Sequence, residues 1–168
     1  ITNYEFYILA KGGNNISSIS NTKALTISSA QQPEFVEIRK VSVKDRNQGV
    51  DLEFFVDASI VVNKYRLKRA ENGGEYRVIA NIPYTGNNTV QYTDNISLDK
   101  NNNDYSYIFE APDACNLVYK ASRPATIMRL ELTEVDRNTN ALSWNAYNSW
   151  DNGVGVYEIY RQPESEPA

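Results

Sequence analysis

The stretch VSVKDRNQGVDLEFFVDASIVVNKYRLKRA, residues 41–70, decides the fold class. It contains two short runs, VDLEFFVD (50–57) and KYRLKRA (64–70), in which apolar and polar side chains partly alternate. The first run is rich in branched and aromatic residues, which favour strands because they fit a half-buried pleated surface, and the second alternates Tyr65 and Leu67 with basic residues. The stretch therefore predicts two successive β-strands.

Further runs of the same character occur along the rest of the chain. They are YEFYILA (4–10), FVEIRKVSV (35–43), YRVIANI (76–82), TVQYTD (89–94), YSYIFEA (105–111) and ATIMRLEL (125–132). Clusters of Asn, Asp and Gly separate several of them, notably ENGG (71–74), YTGNN (84–88) and DKNNND (99–104). Such clusters favour hairpin turns because these residues tolerate left-handed backbone angles. Strands spaced by roughly a dozen residues predict an all-β antiparallel sandwich.

Alternation on each strand predicts which side chains form the core of this sandwich. The expected inward residues are Phe54, Tyr65, Leu67, Val78, Tyr92, Tyr107 and Phe109. Tyr105 joins them if the register begins one pair earlier. Trp144 occupies the place of Phe54 in the similar segment 131–162. It is therefore expected to face the core of another sandwich.

Internal similarity predicts the domain organisation. NYEFYILA (3–10) resembles DYSYIFEA (104–111), and the segment 41–70 resembles ELTEVDRNTNALSWNAY…GVYEIYRQ (131–162). The beginning of the chain thus repeats the end of a module, and its end repeats a beginning. We expect residues 1–32 to be the last strands of one sandwich module, 33–130 a complete module, and 131–168 the first strands of a third. In this fragment Leu142, Trp144, Tyr157 and Ile159 are expected to be poorly buried.

Composition excludes several classes of function. With 41% hydrophobic residues the chain can bury a core, and its formal charge of −4 provides no dense basic field for a nucleic acid. No apolar run approaches the roughly 20 residues that a membrane-spanning helix needs. Neither nucleic acid nor a transmembrane segment is therefore expected.

The residues for catalysis or metal binding are few. The chain has no His, which removes the commonest general base and most zinc sites, and its one Cys, Cys115, has no His to activate it. In the Asn-rich loop, Asp99, Asn101, Asn103 and Glu110 have the spacing of some calcium ligands. A strand after this loop would place Glu110 about 20 Å from Asp99, however, so we expect a polar turn there. No enzyme activity, cofactor or metal is predicted.

A module of about 100 residues with seven short strands resembles the fibronectin type III sandwich. The segment LSWNAYNSWDNGVGVYEIYRQ (142–162) is similar to repeats of the gliding motility-associated proteins of type IX-secreting bacteria. The residues that carry the resemblance are Leu142, Trp144, Tyr147, Trp150, Val154, Tyr157, Ile159, Tyr160 and Arg161. In that pattern Trp150 lies in a loop between strands, where packing over the end of the sandwich is favoured over a role as a ligand platform.

The resemblance implies a non-catalytic, extracellular β-sandwich repeat segment of a secreted or cell-surface protein. Its role would be that of a structural spacer or an adhesion module connected with gliding motility. Its partners would be adjacent modules of the same chain and a protein or surface polysaccharide. An alternative stays open, because fold does not fix function: the segment would be an accessory module of a secreted carbohydrate-active enzyme whose catalytic domain lies elsewhere.

Overall fold

The computed structural model describes residues 2–27, 31–44, 48–98, 103–113, 116–136, 139–150 and 152–161. The chain divides into two compact units, Ile1–Gln31 and Gln32–Ala168. Both are built from antiparallel strands, and the described residues include no α-helix. The predicted all-β class is confirmed.

The first unit consists of two short antiparallel pairs. Strand β1 (Thr2–Phe6) pairs with β4 (Lys23–Ile27), and β2 (Leu9–Lys11) pairs with β3 (Ser17–Ile19). The predicted strand 4–10 is thus interrupted after Phe6. The interruption covers Tyr7 and Ile8, and the Ile8 N–H donates to the Ser20 hydroxyl at 2.9 Å.

The second unit contains a two-layer sandwich. One sheet has the order β5-β6-β9, from β5 (Val36–Val43), β6 (Val50–Val56) and β9 (Thr89–Asp94). The other has the order β11-β10-β7-β8, from β7 (Lys64–Glu71), β8 (Arg77–Pro83), β10 (Tyr105–Pro112) and β11 (Val118–Ala121). The short strand β12 (Ala125–Thr126) also pairs with β10. Below, "the sandwich" means strands β5–β12.

The last strand of the sandwich is interrupted because of Pro124. Strands β11 and β12 pair with the same edge of β10, and residues 122–124 separate them. Proline has no N–H to give to a ladder, so a strand that contains it tends to break. The buried Ser122 maintains the connection, because its hydroxyl accepts from Phe109 N at 2.9 Å and its own N–H donates to Phe109 O at 2.8 Å.

A hairpin follows the sandwich. Strand β13 (Leu130–Asp136) pairs antiparallel with β14 (Thr139–Trp144), so the predicted strand 125–132 is divided between β12 and β13. Residues 131–168 are predicted to form the first strands of a third module, but residues 156–161, around Tyr157–Ile159, belong to no sheet in the described structure. A strand needs a neighbour to bond its backbone, and no strand among the described residues pairs with this stretch. We call residues 130–161 the C-terminal segment.

Most of the predicted core is confirmed. Phe54, Tyr65, Leu67, Tyr107 and Phe109 are each at most 1% exposed, and Tyr105 joins them at 6%. Tyr92 is partly buried against this cluster. The prediction that Val78 faces inward is wrong, since 47% of its surface is exposed. The pairing of β7 with β8 shifts between Leu67↔Ala80 and Lys68↔Val78, and this bulge turns Val78 outward.

The turn predicted at ENGG (71–74) is present. Asn72 and Gly73 have φ of 50° and 70°, and Gly74 N donates to Glu71 O at 2.9 Å. Two consecutive residues with positive φ make the turn compatible with the right-handed twist of the flanking strands. This turn leads from β7 towards β8.

Candidate functional site

The nine residues of the recognised motif all lie in the C-terminal segment, and the structure divides them by exposure. Tyr147 is buried at 8% and Val154 is partly buried against the core of the sandwich. The others are more exposed: Leu142 39%, Trp144 37%, Trp150 49%, Tyr157 39%, Ile159 62% and Tyr160 85%, with Arg161 also exposed. The expected poor burial of Leu142, Trp144, Tyr157 and Ile159 is confirmed, and Trp144 does not face a closed core.

Tyr147 packs into the sandwich rather than into its own hairpin. Its ring is part of the hydrophobic cluster formed by β5, β6, β7 and β10. Its hydroxyl accepts a hydrogen bond from Val41 N of β5 at 2.9 Å. Strand β5 is at the edge of its sheet, so this N–H has no strand to donate to. The Tyr147 hydroxyl therefore satisfies an edge amide of the sandwich.

Trp150 contacts the same edge two residues away. Its indole N–H donates to Arg39 O at 2.8 Å. The pairing of β5 with β6 shifts between Ile38 and Lys40, so Arg39 lies at a bulge and its carbonyl is available. The rings of Trp150 and Tyr147 pack edge to face, with centroids 4.8 Å apart and an interplanar angle of 68°. Trp150 thus packs on the edge of the preceding sandwich and not, as predicted, over the end of a sandwich.

Two asparagines attach the same loop to a second place on the sandwich. Asn145 Oδ1 accepts from Arg129 N at 2.6 Å, and its Nδ2 donates to Ile127 O at 2.9 Å. Asn148 Oδ1 accepts from Thr126 N at 3.2 Å. Sequence reasoning missed both residues. The available signal was the sequence NAYNSW (145–150), which places amides beside the two aromatic residues.

Together these contacts form what we call the joint. On one side are the side chains of Asn145, Tyr147, Asn148 and Trp150; on the other is backbone at Arg39, Val41, Thr126, Ile127 and Arg129. Tyr157 supports it from within the C-terminal segment, because its hydroxyl accepts from Tyr147 N at 3.0 Å and its ring lies 5.6 Å from that of Trp144. The joint can hold two parts of the chain together. It offers no reactive group.

An open groove of about 730 Å³ lies beside the joint. Phe35, Arg39, Lys120 and the exposed side of Trp150 line it, among other residues. The Arg39 guanidinium carbon is 3.4 Å from the centre of the Phe55 ring, which stacks on Phe35 at 4.8 Å. Glu34 and Glu37 also line the groove, so it combines aromatic surface with side chains of both charges.

Two buried carboxylates of the sandwich, Glu110 and Asp94, form ion pairs with basic side chains. Glu110 bonds to Arg66 at 2.9 Å and to Lys68 at 2.8 Å. Arg69 bonds to Asp94 Oδ2 at 2.6 Å, and the Tyr107 hydroxyl donates to the same oxygen at 3.1 Å. Burial, followed by the charge of Asp94, raises the pKa of Tyr107 far above its ordinary value. Such satisfied pairs stabilise the protein and need no substrate to explain them.

The described residues contain no group of three or more His, Cys, Asp or Glu side chains that could hold a metal ion. In the loop with calcium-like spacing, Asp99 and Asn101 lie outside the described residues. Asn103 Oδ1 instead accepts from Asn72 at 3.0 Å, and Glu110 is held in its ion pairs. Cys115 also lies outside the described residues. No helix in the described part of the chain is long and apolar enough to cross a membrane.

No protein-family model matches the chain, and neither does any curated protein. The similarity to gliding motility-associated repeats therefore depends on the motif residues alone and stays a prediction. The fold and the joint are the observations from which function has to be argued.

Proposed function

We propose that this chain is a non-catalytic, extracellular β-sandwich repeat segment that acts as a structural spacer or adhesion module of a secreted or cell-surface protein. The observation that carries the proposal is the joint, in which Tyr147 and Trp150 attach the next segment to the edge of the sandwich. A spacer needs folded units in series with defined connections between them. The joint provides such a connection.

The architecture supports the fibronectin type III resemblance. If β11 and β12 are counted as one interrupted strand, a three-stranded sheet faces a four-stranded one, all antiparallel. The aromatic residues in the second and third strands of the sandwich, Phe54 and Tyr65, are both buried at its centre. Corresponding positions in the C-terminal segment are Trp144 and Tyr157, which already contact each other. This correspondence supports a repeated module connected in series.

Assays of the purified chain test the proposal. We expect no hydrolysis of ester, peptide or glycosidic substrates above the background without protein. Activity that a single carboxylate substitution abolishes, such as Glu75→Gln or Asp104→Asn on exposed or half-exposed loops, would contradict a non-catalytic role. Activity that survives every such substitution would indicate a contaminating enzyme.

One observation favours the second candidate, an accessory module of a carbohydrate-active enzyme. The groove beside the joint exposes one side of Trp150, and aromatic faces bind sugar rings. This candidate is tested by adding soluble polysaccharides to the purified chain while its tryptophan fluorescence is measured. Saturable quenching that Arg39→Ala or Lys120→Ala weakens would support this candidate. Quenching that neither substitution changes would exclude the groove as the polysaccharide-binding site.

A further inference from the structure

We infer that the joint is rigid: it fixes the orientation of the C-terminal segment on the sandwich and at the same time closes the open edge of β5. The inference rests on the proposed spacer role and specifies how that role is performed. The partner of the β5 edge is therefore the following part of the same chain.

The joint attaches at two separate places on the sandwich. Tyr147 and Trp150 bond to β5, and Asn148 bonds to Thr126 of β12. Asn145 bonds to Ile127 and Arg129, in the connection that follows β12. A single attachment would leave the segment free to rotate about it. Two attachments on different strands remove that freedom.

The connection between the two parts is too short and too well packed for a flexible linker. Only residues 127–129 separate β12 from β13, and none of them is Gly or Pro. Ile127 is 4% exposed and belongs to the core of the sandwich. Arg129 forms ion pairs with Asp104, before β10, at 3.0 Å and with Glu131 of β13 at 2.8 Å. Flexible linkers are usually exposed and make few contacts, which is the opposite of this arrangement.

The same contacts protect an edge strand. An exposed edge offers unpaired N–H and C=O groups to which another chain can add a strand. In β5 the Val41 N–H and the Arg39 carbonyl are taken by side chains of the joint. An added strand could not bond there without displacing Tyr147 and Trp150. The joint therefore directs β5 towards its own chain and away from others.

Spin labels on the full chain measure the rigidity. The labels are placed on exposed positions of β9 and β14 through Thr89→Cys and Thr139→Cys, with Cys115→Ser to remove the native thiol. We expect a single narrow distance distribution. A broad distribution in this otherwise unchanged chain would overturn the inference.

Tyr147→Phe with Trp150→Phe removes both hydrogen bonds and keeps two aromatic rings. We expect a broader distance distribution and roughly tenfold faster amide exchange at Val41, the change that the loss of one such bond gives. Tyr160→Phe is the matched control, because Tyr160 is 85% exposed and its hydroxyl bonds only to the neighbouring Glu158 within the described structure. It should change neither measurement. An unchanged width and an unchanged Val41 rate in the double variant would also overturn the inference.

Slow exchange at Phe54 and Leu67 shows that the sandwich stays folded in these variants. If the double variant unfolds, the width of the distance distribution in Trp150→Phe alone decides, since this half-exposed residue can be replaced without unfolding the sandwich. Enzyme activity that a single carboxylate substitution abolishes would contradict the proposed function and leave the distance distribution as it is. A flexible joint would contradict only the inference.

Discussion

The ring of Phe109 lies at the centre of the sandwich and connects its two sheets. It stacks on Phe54 of the opposite sheet with centroids 3.8 Å apart, and on Tyr65 of its own sheet at 5.1 Å. Burial, followed by the neighbouring Tyr84 and Asp57, raises the pKa of Tyr65 to about 12. This stack contributes a large share of the apolar surface that the sheets bury against each other.

Replacing Phe54 by Ala should lower the free energy of unfolding by roughly 3–5 kcal/mol, because the cavity lies between two packed sheets. Denaturant unfolding followed by circular dichroism measures the change. Phe55→Ala is the control: this ring lies on the outer face of β6 against Phe35 and Arg39, and its loss should cost about 1 kcal/mol. An unfolding midpoint of Phe54→Ala equal to that of the unchanged chain would remove Phe54 from the core.

Asp57 makes the stability depend on pH. The Ser59 hydroxyl, followed by the backbone N–H of Glu34, holds the pKa of this carboxyl below its ordinary value. The stabilisation is therefore present above the pKa of the unfolded chain and is lost as the pH falls through the lower pKa of the folded one. Asp57→Asn should lose less stability than the unchanged chain on acidification, as thermal melts across a pH series would show. Asp51→Asn, on strand β6 that precedes Asp57, controls for the removed charge, and equal slopes in all three proteins would contradict this role.

At the scale of strands, single inserted residues decide which side chains face the core. The bulge in β8 turns Val78 outward, and the bulge in β5 leaves the Arg39 carbonyl available to Trp150. The central position of β7 also decides what its basic side chains do. Arg66 and Lys68 do not protect a sheet edge from pairing with another chain, because β7 lies between β10 and β8. Both side chains instead pair with Glu110.

The bulge in β8 predicts unequal effects for two adjacent residues. Val78→Ala should change the free energy of unfolding by no more than about 0.5 kcal/mol, since this side chain is exposed. Ile79→Ala should cost roughly 1–2 kcal/mol, because Ile79 is partly buried against the core. Denaturant unfolding of both variants measures the difference. A larger loss for Val78 than for Ile79 would mean that β8 pairs without the bulge.

At the scale of the whole molecule, positions that the proposed repeat would make equivalent differ in burial. Tyr105, Tyr107 and Phe109 of the sandwich are buried, whereas the matching Tyr4, Phe6 and Ile8 of the first unit are 47%, 57% and 74% exposed. In the C-terminal segment Leu142 and Trp144 are exposed where the matching Leu52 and Phe54 are buried. Exposed apolar faces of this kind favour association.

We expect the chain to associate with a second copy of itself through these faces. Light scattering across a dilution series should show an average mass that decreases as the protein is diluted. Trp144→Ser should weaken the association, whereas Val61→Ser, at an exposed apolar position of the sandwich, should leave it unchanged. A strict monomer with slow hydrogen exchange through residues 140–161 would show that the C-terminal segment is stable without a partner.

The sequence by itself determined the fold class, most of the strands and most of the core. Alternation of apolar residues depends on neighbours along one strand, and that information is local, which is why Phe54, Tyr65, Leu67 and Tyr107 were placed correctly. Only the tertiary structure decided the burial of Val78, the break before Leu130 and the joint. These depend on which backbone groups remain unpaired once distant strands have met: Val41 and Tyr147 are 106 residues apart in the chain, and no local pattern brings an edge amide to a tyrosine hydroxyl.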